Sequence, residues 1–109
     1  MDIADVMNYM VEHSAPNLPA EAISDILDRL SWSLDETEVF ALAAVAHEWL
    51  IGPDPRRAEI SLARTDAFPA DNRDDLVALM AQVAARHPGL EPLARRKIEH
   101  WDQQFSRRQ

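Results

Sequence analysis

Punctuation constrains this chain most. Only two glycines occur in 109 residues, Gly52 and Gly89, and each lies beside a proline where an apolar pattern of helical spacing stops. Between those breaks, seventeen alanines and eleven leucines outnumber the fourteen valines, isoleucines and threonines, a balance that favours helix over strand. Nowhere do four or more residues alternate with the period of two that marks a half-buried strand. The expectation is an all-α chain: a single compact domain of about six helices over residues 1–105, with 106–109 as a frayed tail. Short loops make consecutive helices neighbours in an antiparallel or orthogonal array.

The six segments follow from spacing and breaks. The first, about Asp2 to His13, sets Ile3, Val6, Met7, Met10 and Val11 on one face. Ser14 to Pro19 interrupts it, and the second, about Pro19 to Leu30, is expected to bury Ile23, Ile26, Leu27 and Leu30. Ser33 and Glu36 have capping-box spacing, which starts the third helix at Leu34 and carries it to about Ile51. From Val39 to Leu50 its apolar residues cover nearly every direction, so it is expected to be buried at the centre. A fourth helix, about Pro55 to Arg64, is short and weakly patterned. The fifth, capped by Asp71 or Asn72, turns Leu76, Leu79, Met80, Val83 and Ala84 inward. The sixth does the same with Leu93, Ala94, Ile98, Trp101 and Phe105.

Composition removes several function classes. With no cysteine there is no disulfide framework, thiol catalysis or iron–sulfur ligation. A formal charge of −8 argues against general affinity for nucleic acid or anionic membrane. The acidic start, Met-Asp-Ile-Ala-Asp, does not read as a secretory signal, and the longest apolar run, Val39 to Ala46, is far short of a membrane span. A cytoplasmic location is expected.

The charge is not evenly spread. Residues 1–54 hold eleven acidic residues and one base, Arg29; residues 55–109 hold eight acids and ten bases. At 100° per residue, Glu21, Asp25 and Asp28 share a stripe opposite the expected core face of the second helix, and Trp32 extends it. Tyr9 shares a stripe with Asp2, Asp5 and Glu12 on the first helix. Asp35, Glu36 and Glu38 crowd the start of the third, where the helix dipole favours them. Read as solvated surface, these carboxylates need no function. Read as an interface, Tyr9, Glu12, Glu21, Asp25, Asp28, Trp32, Asp35, Glu36 and Glu38 form a negative surface with aromatic anchors. Trp32 also suits a plug between two helices.

No reaction is legible. The four histidines fall in four segments, and His47-Glu48 lacks the second histidine of a zinc motif, since Ile51 stands there. Two isolated glycines supply no phosphate loop, and Asp35 to Glu38 and Asp71 to Asp75 are explained as helix starts. Arg95-Arg96-Lys97 belongs to a balanced face, with Glu91, Arg95 and Glu99 in a ladder. No cofactor or metal is expected, and the chain is expected not to be an enzyme. In size and charge pattern, rather than in any motif, it resembles bacterial immunity proteins. The likeness implies an inhibitor that docks onto a basic toxin, a nuclease among the candidates. Two alternatives stay open. One is a helical adaptor, chaperone or assembly subunit with an apolar interface, for which the fourth helix with Ile60 and Leu62 is a candidate. The other is a small enzyme whose site is assembled from distant residues.

Overall fold

A computed structural model describes residues 2–64 and 68–106 of the chain, with the side chain of Ser106 excepted. Among the described residues there are six α-helices and no strand, as expected: α1 (Ile3–His13), α2 (Ala20–Ser31), α3 (Glu36–Ile51), α4 (Pro55–Ala63), α5 (Arg73–Arg86) and α6 (Glu91–Ser106). The tail expected over 106–109 lies outside them, apart from the Ser106 backbone that closes α6. The helices fall into two compact units, residues 1–66 and 67–109.

Each helix start in the first unit has a local chemical cause. At α1, Asp2 accepts from the Asp5 amide at 2.9 Å and the Asp5 carboxylate accepts from the Asp2 amide at 3.2 Å, a reciprocal cap. Pro19 precedes α2 without a side-chain cap. Before α3 the expected Ser33–Glu36 box is absent. Asp35 is the cap, accepting from the Glu38 amide at 2.9 Å, while the Ser33 hydroxyl donates to the Leu30 carbonyl at the end of α2. The helix therefore begins at Glu36 rather than Leu34. Asp54 caps α4 through the Arg56 amide, with Pro55 at the first position.

Gly52 closes α3 for a steric reason. A Cβ there would sit 2.9 Å from the Glu48 carbonyl oxygen, so only glycine lets the chain turn so near the last helical turn.

In this unit α1 packs on α3, α2 on α4, and α3 on α4. Ile3, Met7 and Val11 from α1, Ile23 and Leu27 from α2, Leu42 and Trp49 from α3, and Ile60 from α4 share one apolar cluster. Two expectations change here. The short fourth helix is core, with Ala58, Ile60 and Leu62 all buried, so Ile60 and Leu62 offer no docking surface. The third helix is not enclosed. It buries Leu42, Ala46, Trp49 and Leu50, while Phe40, Ala41, Ala43, Ala44 and His47 on the opposite side are exposed. Alanine accounts for this: it reads as apolar in a pattern, yet leaving its single methyl in water costs little.

The second unit pairs α5 with α6 across a 3-10 turn at Pro88–Leu90. Asn72 caps α5 by accepting from the Asp75 amide. Leu76, Met80 and Val83 face Leu90 and Ala94 in its interior. Phe68, Trp101 and Phe105 form an aromatic cluster, and the buried Lys97 brings its ammonium 5.9 Å from the Phe68 ring centre.

Candidate binding surface

The acidic candidate residues, together with Asp54, separate into three groups once the cations of α4 are in place. Arg57, half-buried, donates to Asp54 at 2.6 Å and to Asn8 at 3.2 Å, lies 3.6 Å from Glu12, and stacks 5.7 Å over the Trp49 ring. Its neighbour Arg56 reaches Ser14 and the Pro16 carbonyl, tying the α1–α2 loop to α4. Burial pushes the Asp54 carboxyl up, but the hydrogen bonds from Arg57 and the Arg56 amide, with the Arg57 charge, hold it below its ordinary value of 3.8. Asp54 and Glu12 are thus partly neutralised.

Asp28 departs from its expected place. It is 7% exposed and accepts from Arg64 Nε at 3.0 Å, a buried ion pair joining α2 to the end of α4. The helix is turned about its axis relative to the sequence reading. Its buried residues are Ala20, Ile23, Ser24, Leu27 and Asp28, a face centred roughly 80° away from the Ile23/Ile26/Leu27/Leu30 stripe at 100° per residue. Ile26 is consequently 50% exposed instead of buried. The cause is non-local. Arg64 can satisfy a carboxylate inside the unit, and that makes the Ser24/Asp28 edge a permissible inner face.

Third come the carboxylates that keep their charge facing water. Glu21 and Asp25 are exposed on α2, and Glu36 and Glu38 are exposed on the first turn of α3. None of the four makes an ion pair among the described residues. Asp35 is exposed as well and is engaged as a cap. Trp32, at the end of α2, is 83% exposed and plugs no corner of the core. It lies in the same angular sector of α2 as Glu21 and Asp25, three residues before Asp35. Tyr9 is exposed on α1 and stacks on His13 with ring centres 4.0 Å apart.

Of the nine residues singled out from sequence, Glu21, Asp25 and Trp32 share the outer side of α2, and Asp35, Glu36 and Glu38 are exposed at the start of α3. Tyr9 and Glu12 belong to the outer face of α1, which packs chiefly on α3. Asp28 faces inward. Sequence reasoning missed Phe40, which is 66% exposed one turn beyond Glu36. Its signal was present: Phe40 follows Glu36 at i+4, on the same side of α3 as an exposed helix start.

Among the described residues no cluster of three or more His, Asp or Glu side chains is placed to hold a metal ion. None of their helices is long and apolar enough to cross a membrane. Comparison of the chain with protein-family models, with curated proteins and with solved structures finds no match.

Proposed function

We propose that the protein binds and neutralises a basic protein, in the manner of an immunity protein or antitoxin acting in the bacterial cytoplasm, and that it works by occlusion rather than by chemistry of its own. One observation carries this reading. Four carboxylates with no ion pair among the described residues, Glu21, Asp25, Glu36 and Glu38, accompany a Trp32 that is 83% exposed. Glu21 and Asp25 are like charges at i, i+4, an arrangement that destabilises a helix by about a few tenths of a kcal/mol. A cationic partner relieves that repulsion, and an exposed indole supplies the apolar anchor that charge alone does not.

The test begins with affinity capture from the source organism at low ionic strength, followed by association kinetics with the captured basic protein. The association rate is expected to fall steeply between about 0.05 and 0.5 M NaCl. Combined reversal of Glu21, Asp25, Glu36 and Glu38 to Lys is expected to remove most of that dependence. Co-expression of the chain is expected to relieve growth inhibition by the partner. A partner that binds equally fast at both salt concentrations overturns the electrostatic reading. It favours instead an adaptor with an apolar interface, the alternative to which the exposed Ile26 and Phe40 give weight.

A further inference from the structure

From the outer face of α3 we infer the kind of partner segment that docks here: a cationic amphipathic helix lying along Phe40, Ala44, His47 and Ile51. This deepens the reading above and rests on it.

The geometry is that of a helix seam. Phe40, Ala44, His47 and Ile51 recur at intervals of four, three and four residues, the spacing by which one helix presents a straight stripe to another. Phe40, Ala44 and His47 are exposed and Ile51 is half-buried at the end of the row. From Phe40 to Ile51 the stripe runs about 16 Å at 1.5 Å per residue, three turns of a facing helix. Ala43 and Ala44 sit at its midpoint, where small side chains let two helix axes approach to about 8 Å. The remainder of α3 is committed to the core through Leu42, Ala46, Trp49 and Leu50.

Charge chooses the occupant. Between Glu36 and Ile51 there is no lysine or arginine. The stripe is bounded by the exposed Asp35 and Glu36 at one end and by the exposed Glu48 towards the other. A second copy of the chain would bring the same carboxylates against each other across a narrow seam, and an anionic lipid surface meets the same repulsion. A helix with apolar residues at the 3–4 spacing and Lys or Arg on its flanks satisfies both the stripe and its borders.

Two synthetic peptides of about 18 residues and identical Leu, Ala and Lys content test this on the full-length protein. In one, Leu forms a single helical stripe; in the other, Leu is distributed around the helix. Binding is followed by amide chemical shifts and titration calorimetry at low salt. The striped peptide is expected to bind about tenfold more tightly than its isomer, with shifts concentrated on 36–51. Phe40→Ala and Ala44→Gln, both on an exposed face, neither changing the charge, and both checked for folding by circular dichroism, are expected to erase that tenfold difference while leaving the isomer's affinity unchanged. Equal, salt-sensitive binding of both peptides overturns the seam and leaves the basic-partner reading standing. Failure of both to bind at low salt overturns the two together. A free chain that sediments as a dimer, and returns to monomer on Ala44→Gln, assigns the stripe to a second copy and overturns the proposal.

Discussion

Two buried polar groups on α2 have opposite consequences for stability. The Ser24 hydroxyl oxygen is fully buried and has no hydrogen-bond partner among the described residues. An unsatisfied buried group of this kind costs about 1–3 kcal/mol, and serine is also a poorer helix former than alanine. Ser24→Ala is therefore expected to stabilise the protein by about 1 kcal/mol in urea-induced unfolding. A loss instead would mean that the hydroxyl has a partner in solution. Asp28, one turn further on, is held by Arg64 at 3.0 Å. Removing one member of a buried pair strands the other, at roughly 3 kcal/mol or more, whereas replacing both by apolar groups of similar size is often neutral. Asp28→Ala is expected to show that large loss, and Asp28→Leu with Arg64→Met only a small fraction of it. Equal losses from the single and double variants would show that the pair is not what fixes the helix there.

Helix positions were far more legible in the sequence than helix rotations. Prolines, glycines and capping residues act within a few positions of themselves, so the end of α3 and the starts of α4 and α5 could be read from Gly52, from Asp54 with Pro55, and from the Asp71–Asn72 pair. The inward face of α2 could not. Its apolar residues span Ala22 to Leu30 broadly enough to allow two faces, and Arg64, which decides between them, lies 36 residues away along the chain. Glu21, Asp25 and Trp32 are exposed because they lie far enough from either face to stay outside in both rotations. At the start of α4 the local and non-local effects can be separated by pH. Asn caps a helix about as well as Asp, so Asp54→Asn removes the charge facing Arg57 and keeps the cap. The folded carboxyl is held below 3.8, so its contribution is fully present above the unfolded value and is lost as pH falls through the lowered one. With its carboxylate 37% exposed, that contribution is expected to stay below about 1 kcal/mol. The stability gap between wild type and Asp54→Asn is expected to be open at pH 7 and closed near pH 2. A gap that persisted in acid would place the effect in the cap.

Over the whole molecule the charge divides along the same boundary as the compact units. Residues 1–66 carry thirteen acidic residues against four basic ones, a net −9, and residues 67–109 carry six against seven, a net +1. Three of the four cations in the first unit, Arg56, Arg57 and Arg64, are drawn into its interior contacts, which leaves the outer carboxylates to repel one another. Salt acts on these two populations differently. Raising ionic strength from about 0.01 to 0.15 M shortens the screening length from roughly 30 to 8 Å, weakening repulsion among exposed groups while buried or half-buried pairs are screened much less. The melting temperature is therefore expected to rise with salt over this range, by a few degrees if the repulsion amounts to about 1 kcal/mol. Glu21→Gln with Asp25→Asn, which breaks the like-charged i, i+4 pair on α2, is expected to start higher and to gain less. A melting temperature that fell with salt would mean that attraction dominates and that the outer carboxylates are compensated in solution. The same repulsion links stability to binding. A cationic partner that neutralises these carboxylates supplies the screening that salt otherwise provides, so complex formation is expected to raise the melting temperature more in 0.01 M than in 0.15 M salt.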